Sequence, residues 1–203
     1  MAAHGDLHRP HPGSVIRDRE LTPVSGPPIH LVEPGRLVHL QFRRFAGCPV
    51  CNLHLRSIVR HHAEIEAAGI REVVVFHSPA GELREHAADL PFAVVADPDK
   101  RLYVEFGVES ARRALLHPRA WGPIVRAVLL SAWAIVRRRE RGPALMPHGG
   151  RYGLPADLLI AEDGSVLACK YGEHAYDQWS VDELLDLASR TPRPEPVLRE
   201  RGL

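Results

Sequence analysis

The sequence predicts an α/β fold in which helices cover both faces of a central sheet. The apolar runs at residues 73–76 and 92–96 are uninterrupted, as is typical of strands that are buried on both sides. A third strand-like run, at 37–42, leads directly into a helical pattern. The 203 residues, 45% of them hydrophobic, suffice for one sizeable core, so we expect one domain with extensions.

The chain begins with a segment that predicts disorder, followed by an N-terminal β extension. Residues 1–12 are rich in His and Pro, a composition that favours a disordered tail. Short strand signals follow at 15–16 and 29–32, with turn residues at 25–28 between them. We therefore place the domain at residues 13–190.

The segment after the 37–42 strand contains the sequence Cys48-Pro49-Val50-Cys51. Pro49 suits the first position of a helix, where its missing N–H would have no partner, and this places Cys48 at the N-cap. Free backbone N–H groups and the helix dipole would there favour a thiolate. Cys51 lies one turn further on, where we expect it to be less exposed and able to attack a mixed disulfide. The pattern predicts Cys48 as the nucleophile and Cys51 as the resolving thiol.

Other uses of a Cys-x-x-Cys pair fit the sequence less well. His54, His61 and His62 follow the pair, but a structural zinc site needs four convergent ligands and no second ligand pair follows. Covalent haem needs histidine where Asn52 stands, and an iron–sulfur cluster needs four thiolates where the chain has three. We therefore expect no metal and no bound cofactor. A metal-binding or protein-interaction module without redox activity stays the alternative.

The helix that starts at this pair is expected to run to Gly69, which supplies a stop signal. Its spacing places four residues on one buried face, namely Cys51, Leu55, Ile58 and Val59. A second, polar helix is predicted around 82–89, and the turn at 97–100 starts a further helical segment.

The last part of the chain predicts a hairpin and a helix. Apolar runs at 158–161 and 166–171 flank an Asp-Gly turn, which is a strong hairpin signal. Cys169 lies in the second run, where we expect it to be a buried structural cysteine on the same face as Leu167 and Tyr171. Ser180 and Glu183 form a capping box for a final helix. The Pro-, Arg- and Glu-rich residues 191–203 predict a mobile tail.

A helical insertion is predicted at about 109–152, and its most apolar part is 124–136. That part is too short to cross a bilayer, which takes about 20 apolar residues. We interpret it as a buried or dimer-forming helix, so a homodimer is plausible. An interfacial membrane helix is the less favoured alternative. Because the insertion follows the sheet core, it is also a candidate to cover the dithiol.

Composition limits the partners and the compartment. The net charge is +1 and the basic residues are balanced by acids, so nothing indicates nucleic-acid binding. The N-terminus shows no apolar run of a secretory signal. Three cysteines without an export signal predict a reducing, cytoplasmic setting and a catalytic pair.

Three segments resemble the peroxiredoxin-like branch of the alkyl hydroperoxide reductase and thiol-specific antioxidant (AhpC/TSA) family, which has a thioredoxin-like fold with a mixed sheet. They are residues 42–51, the stretch from Val94 to Val108, and Leu154 to Ile160 followed by Asp163-Gly164. The resemblance covers roughly residues 13–190 in the family's order. It implies dithiol–disulfide exchange or peroxide reduction, with a thiol reductant as partner, either a thioredoxin-like protein or a low-molecular-weight thiol.

The resemblance also implies roles around the dithiol. Pro155 falls where thioredoxin folds carry a cis-proline facing the dithiol, and Leu154 before it would align an extended substrate. Arg43 and Arg44 are candidates to raise the local positive potential, Arg44 as a substrate-binding residue. In the family a threonine or serine precedes the peroxidatic cysteine by three residues, where Phe45 stands here, and Gln41 replaces the family's proline. Phe45 supplies no hydroxyl to orient a peroxide, so the resemblance supports disulfide exchange at least as well as peroxidase activity.

Overall fold

The computed structural model describes residues 9–87, 89–108, 118–137, 150 and 152–191. The strands are β1 (Glu20–Leu21), β2 (Ile29–His30), β3 (Leu37–Arg43), β4 (Ile70–Phe76), β5 (Ala93–Ala96), β6 (Ala156–Ile160) and β7 (Val166–Tyr171). The helices are α1 (Pro49–Arg60), α2 (His62–Ala67), α3 (Ala80–Ala87), α4 (Arg101–Glu105), α5 (Pro118–Val136) and α6 (Val181–Ser189). From β3 onward, the strands follow the order that the sequence predicts.

The central sheet has five strands in the order β5-β4-β3-β6-β7. Strands β3, β4 and β5 run parallel, whereas β6 is antiparallel to β3 and β7 is antiparallel to β6. The sheet is therefore mixed, as predicted. The β6–β7 hairpin turns at Gly164, whose φ of 84° suits the predicted Asp-Gly turn.

Alternate residues of β3 face opposite sides of the sheet, because side chains alternate along a strand. Val38, Leu40 and Phe42 lie in an apolar cluster with the aromatic rings of Tyr103 and Phe106. The residues between them in β3 are polar and are also buried: His39, Gln41 and Arg43. One face of the central strand is thus a conventional apolar core and the other is polar.

The N-terminal extension differs in detail from the prediction. The predicted strand at 29–32 pairs over Ile29–His30 with Glu20–Leu21, a strand too short to leave a sequence pattern. Val15 makes a single bridge to Ser165 instead of a strand.

Residues 9–12, which the tail prediction includes, contact the domain. The guanidinium of Arg9 donates to the Gly107 carbonyl at 3.1 Å and stacks over the Tyr171 ring, while the Tyr171 hydroxyl donates to the Pro10 carbonyl at 3.1 Å. These contacts tie residues 9 and 10 to β7 and to Gly107, although the predicted domain starts at residue 13. Residues 1–8 and 192–203 of the predicted tails lie outside the described residues.

The helix predicted to run to Gly69 is two helices. His61, with φ −107° and ψ 16°, separates α1 from α2, and Gly69 ends α2 with φ of 74°. Cys51, Leu55 and Ile58 form the buried face of α1 as predicted. Val59 is 39% exposed, so its placement on that face is wrong, because the eight-residue step from Cys51 turns it past the edge of the packed stripe.

A bulge in the β6–β7 hairpin overturns one face assignment. Leu159 pairs with Ala168, but Ile160 pairs with Val166, so Leu167 is the extra residue of β7. Cys169 and Tyr171 pack on the core around Phe42, whereas Leu167 packs on the opposite side. Cys169 is half-buried and not fully buried.

Candidate functional site

The dithiol lies at the start of α1, where the sequence places it. Cys48 is the N-cap residue, Pro49 is the first helical residue, and the Cys48 sulfur accepts the backbone N–H of Cys51 at 3.5 Å. The carbonyl of Cys48 accepts the N–H of Asn52 at 2.9 Å. The predicted N-cap position is confirmed, and the Cys48 sulfur faces the positive end of the helix.

Both thiols are buried, so the expectation that Cys51 is the far less exposed one is wrong. Cys48 has no exposed surface and Cys51 is 3% exposed. They belong to one apolar cluster with Phe45, with the buried Ala127 of α5 and with the partly buried Ile124. Helix α5 therefore packs over the dithiol, which explains the burial and agrees with the covering position predicted for the insertion. The rest of the predicted insertion, 109–117, 138–149 and 151, lies outside the described residues.

The two thiols have opposite acidities. Burial disfavours the Cys48 thiolate, but the hydrogen bond from the Cys51 thiol, the charge of Arg44 and the backbone N–H groups of Cys51 and Val50 outweigh it and lower the Cys48 pKa to about 6. Burial and the adjacent Cys48 thiolate raise the pKa of Cys51 well above its usual value. At neutral pH the pair therefore holds one proton, and that proton is on Cys51.

Arg44 is a buried cation beside the thiols. Its side chain is 4% exposed, and its Nε and Nη1 atoms have no hydrogen-bond partner among the described residues. The guanidinium lies 5.3 Å from the centre of the Phe45 ring. A buried arginine whose N–H donors are unused can bind an anionic or oxygen-bearing group by donating hydrogen bonds to it.

The reactivity of Cys48 is expected to follow this acidity. Alkylation of Cys48 by iodoacetamide, measured against pH by mass spectrometry, should rise with a midpoint near pH 6, because the thiolate is the reactive form. Arg44→Met should move the midpoint upward, since it removes a charge that favours the thiolate. The control Arg84→Met changes an exposed arginine of α3 and should leave the midpoint in place. Equal midpoints for the two variants would contradict this electrostatic role.

The loop before the dithiol is held by contacts that sequence reasoning missed. The backbone N–H of Ala46 donates to the Ser78 hydroxyl at 3.0 Å. Gly47 has a φ of 70°, and a Cβ at this position would lie 3.0 Å from the His86 ring. Glycine is needed there for both the backbone conformation and the space. Ser78 and His86 come from the chain after β4, so no local pattern indicates them.

The segment with Leu154 and Pro155 reaches the same region through Gly153. A Cβ on Gly153 would lie 3.4 Å from Arg44 Cγ and 3.1 Å from His77 Nε2, so the chain passes directly beside Arg44. Leu154 is 3% exposed. Arg44 therefore lies close to both the thiols and the 153–155 segment.

The cis-proline implied by the resemblance is not present. The described residues contain no cis peptide bond, so the Leu154–Pro155 peptide is trans, the isomer that X-Pro bonds ordinarily favour. The Pro155 carbonyl accepts the N–H of Gly172 at 2.9 Å, which pairs it with the end of β7.

Beneath α1 lies a polar core that the sequence does not predict. Arg43 is fully buried and donates to Asp157 at 2.6 Å and to Gln41 at 2.5 Å. His39 bonds Glu72 at 2.9 Å, and its Nε2 lies 3.4 Å from Asp157. These residues are on neighbouring strands of the sheet, β3, β4 and β6, and their side chains share one face.

The polar core extends to the helix of the dithiol. Arg43 Nη2 lies 3.2 Å from His54 Nε2, so the arginine donates and the imidazole accepts. Burial and the Arg43 charge hold the His54 pKa well below its usual value, and the ring is neutral. His54 therefore acts as a hydrogen-bond acceptor that joins α1 to the sheet.

Two further features of the described residues bear on other functions. Within residues 9–87, 89–108, 118–137, 150 and 152–191, no three His, Cys, Asp or Glu side chains converge as they would around a metal ion. In the same part of the chain, no helix has the length and hydropathy needed to cross a membrane.

Solved structures with this fold include peroxiredoxins and a disulfide-exchange protein. Peroxidoxin BcpB from Mycobacterium tuberculosis is 16% identical with a TM-score of 0.63, over 91% of this chain and 99% of that one. A peroxiredoxin-like protein from Aquifex aeolicus is 12% identical with a TM-score of 0.57, over 88% and 85%. A Chlorobium tepidum chain described as the thiol:disulfide interchange protein DsbE is 18% identical with a TM-score of 0.54, over 88% and 99%.

These similarities confirm the thioredoxin-like, peroxiredoxin-type fold. No curated protein matches the chain. A sequence model described as AhpC/TSA antioxidant enzyme matches residues 57–174, a stretch that begins after the dithiol and includes more than half of the chain. The chain therefore belongs to the AhpC/TSA antioxidant enzyme family.

Proposed function

We propose that this protein is a thiol-dependent redox enzyme that reduces disulfides or peroxides through Cys48 and Cys51. The observation that carries the proposal is the position of Cys48 at a helix N-cap beside the buried Arg44, which lowers the Cys48 pKa to about 6. A thiolate at neutral pH is the form that attacks sulfur or oxygen. The protonated Cys51 one turn away suits the resolving step.

With a disulfide substrate, the Cys48 thiolate attacks one sulfur, the substrate S–S bond breaks, and the other half leaves as a thiolate. Cys51 then loses its proton and attacks the Cys48 sulfur, which forms the Cys48–Cys51 disulfide and releases the second substrate thiol. The substrate gains two electrons and the enzyme loses two. An external thiol reductant, either a thioredoxin-like protein or a small thiol, restores the dithiol.

With a peroxide, Cys48 attacks one oxygen and the O–O bond breaks. The leaving alkoxide or hydroxide is protonated, Cys48 becomes a sulfenic acid, and attack by Cys51 releases water. Phe45 is buried at the position where the family's hydroxyl would stand, and its ring supplies no donor to orient the peroxide. We therefore expect disulfides to react faster than hydrogen peroxide.

Arg44 and the segment before β6 form the proposed substrate site. The unused guanidinium donors of Arg44 would hold an oxygen or carboxylate of the substrate. The backbone at Leu154 and Pro155 would lie along an extended thiol substrate, since the preceding residue, Gly153, lies beside Arg44. Access to Cys48 requires that its cover, which includes Ala127 of α5, shifts.

We also propose a cytoplasmic location and no nucleic-acid partner. The mechanism needs a reducing environment that returns Cys48 and Cys51 to the dithiol state, and the cytoplasm is such an environment. The net charge of the whole chain is only +1, so the chain as a whole has no general attraction for a polyanion.

The test is thiol alkylation followed by mass spectrometry, after one equivalent of oxidised glutathione or of hydrogen peroxide. Wild type should form the Cys48–Cys51 disulfide with either oxidant. Cys51→Ser should instead retain a glutathione adduct or a sulfenic acid on Cys48, because the resolving thiol is missing. The rates with the two oxidants compare exchange with peroxidase activity.

Two outcomes would overturn the proposal. If both cysteines stay reduced with both oxidants, the chain has no dithiol chemistry of this kind. If stoichiometric metal is found after purification and is lost in Cys51→Ser, the pair serves as a ligand site and the metal-binding module takes the place of the enzyme.

A further inference from the structure

Helix α5 has one face packed on the dithiol and an opposite face that is exposed and apolar. Ala127 is the buried contact with the dithiol cluster. Five large apolar residues of the same helix are at least half exposed: Trp121, Val125, Val128, Leu129 and Trp133. At 100° per residue they lie within an arc of about 140°, roughly two-fifths of the helix circumference. Two exposed tryptophans on one apolar stripe are unusual for a surface that faces only water.

Charge is distributed very unevenly between this segment and the rest of the chain. Residues 111–155 contain nine arginines, no lysine and a single acidic residue, Glu140, so they carry +8 when histidines are neutral. The whole chain carries +1, so the rest carries −7. Within α5 itself, Arg126 is exposed, and Arg137 just beyond its end places its guanidinium 4.2 Å from the centre of the Trp133 ring.

The exposed apolar face of α5 and the positive charge around it together distinguish between three kinds of partner. A two-fold dimer through α5 would place the same patch of each copy face to face, and each copy would bring the same arginine-rich, positively charged segment to the contact. A nucleic acid would satisfy the arginines, but it offers no apolar surface to bury Val125 or Leu129. The surface of an anionic bilayer offers both negative headgroups and an apolar layer just beneath them.

We propose that α5 docks this protein on the surface of an anionic lipid bilayer. The helix lies in the plane of the interface, with Leu129 and Val125 toward the acyl chains and both exposed tryptophans at the headgroup level. Arg126 and Arg137 lie along one edge of this stripe, next to Trp133, and contact lipid phosphates. Docking uses no chemistry of the dithiol, so it is independent of the proposed redox activity.

The test is flotation of the full chain with phosphatidylcholine vesicles that contain about one-third phosphatidylglycerol, compared with pure phosphatidylcholine vesicles. The protein should float with the anionic vesicles only, and about 0.5 M salt should weaken binding by screening the arginines. Tryptophan emission should shift to the blue on binding, because Trp121 and Trp133 leave water. Trp179 is already buried and contributes little to the change.

The variants separate the apolar face from general charge. Leu129→Asp should lower vesicle partitioning about tenfold or more, since it removes an exposed leucine that the bilayer would bury and adds a charge that the anionic lipids repel. Val104→Asp makes the same kind of change at an exposed valine of α4 and should float like wild type. Cys48→Ser should also float like wild type, so a failed redox proposal does not affect this one.

Three results would overturn the proposal. The first is wild type that stays unbound by anionic vesicles at low salt with no change in tryptophan emission, which would exclude the membrane partner. The second is wild type that binds duplex DNA as tightly as vesicles, with the binding of Leu129→Asp unchanged, which would indicate a polyanion site. The third is wild type that is a dimer by light scattering and does not bind vesicles, with Leu129→Asp monomeric, which would assign the face to a second copy.

Discussion

Replacing Cys48 with serine is expected to lower the rate of disulfide or peroxide reduction by at least about 10³-fold. A serine hydroxyl is not ionised at neutral pH, whereas the Cys48 pKa of about 6 leaves most of this thiol as thiolate. The N-cap and Arg44 stabilise a thiolate charge that the serine would not carry. The measurement is turnover of oxidised glutathione or hydrogen peroxide with dithiothreitol as reductant.

The third cysteine provides a matched control. Cys169 is half-buried in β7, and burial raises its pKa, so it is a poor nucleophile. Cys169→Ser should retain activity within about twofold, since it lies outside the dithiol. Substantial activity in Cys48→Ser, or a large loss in Cys169→Ser, would move the reactive thiol to Cys169 and contradict the assigned roles.

The parts of the site that the sequence predicts are those determined by neighbouring residues. Cys48 reaches the N-cap because Pro49 starts the helix, and Cys51 follows one turn later by helix geometry alone. The capping box at Ser180 and Glu183 is confirmed for the same reason. Each depends on interactions within a few positions of the chain.

The burial of Cys48 depends on residues far along the chain. Ala127 lies about eighty positions later, and no local pattern shows that its helix packs on the dithiol. The register of β7 is similar, because Leu167 alternates correctly with Cys169 in the sequence and loses that relation at a bulge. Such features arise from packing between elements.

The polar core was the largest difference between pattern and structure. His39 and Gln41 alternate with apolar residues in β3, and Arg43 continues the alternation, a pattern that ordinarily indicates one solvated face. The structure instead buries this face, because β4 and β6 supply Glu72 and Asp157 to pair with it. The compensating charges come from strands that are distant in the sequence.

The buried charges of this core balance one another. Arg43 is positive, and contacts with Glu72 and Asp157 outweigh burial and raise the His39 pKa to about 9, so His39 is positive at neutral pH. The Arg43 and His39 charges outweigh burial and hold the Asp157 pKa below its usual range. Asp157 also accepts the backbone N–H of Trp179 at 3.0 Å, which ties the sheet to the segment before α6.

Asp157→Ala is therefore expected to lower the free energy of unfolding by about 3–5 kcal/mol, the range for removing one partner from a buried ion pair. The substitution leaves Arg43 and His39 with only the Glu72 carboxylate, and the buried Trp179 N–H loses its acceptor. Denaturant unfolding measures the change. Asp99→Ala, at an aspartate whose side chain is 69% exposed, is the control and should cost less than about 1 kcal/mol.

Two further measurements separate charge from packing in this core. Asp157→Asn keeps the shape and removes the charge, and adding Arg43→Met to it should recover part of the lost stability, because one positive and one negative side chain then remain. If Asp157→Asn unfolds at the wild-type denaturant concentration, the charge of Asp157 does not stabilise the fold.

The contributions of Asp157 and His39 to the free energy of unfolding depend on pH. Because the Asp157 pKa is lowered by folding, its contribution is present above its ordinary value of 3.8 and is lost as the pH falls below it. Because folding raises the His39 pKa from 6.5 to about 9, its contribution is complete below pH 6.5 and is lost as the pH rises through about 9. The joint contribution of Asp157 and His39 is therefore largest between pH 3.8 and 6.5, whereas folding lowers the pKa values of His54 and Cys48, whose contributions grow as the pH rises. Relative to wild type, Asp157→Asn should show a smaller loss of stability as the pH falls below 3.8, since it removes the group that takes up the proton there.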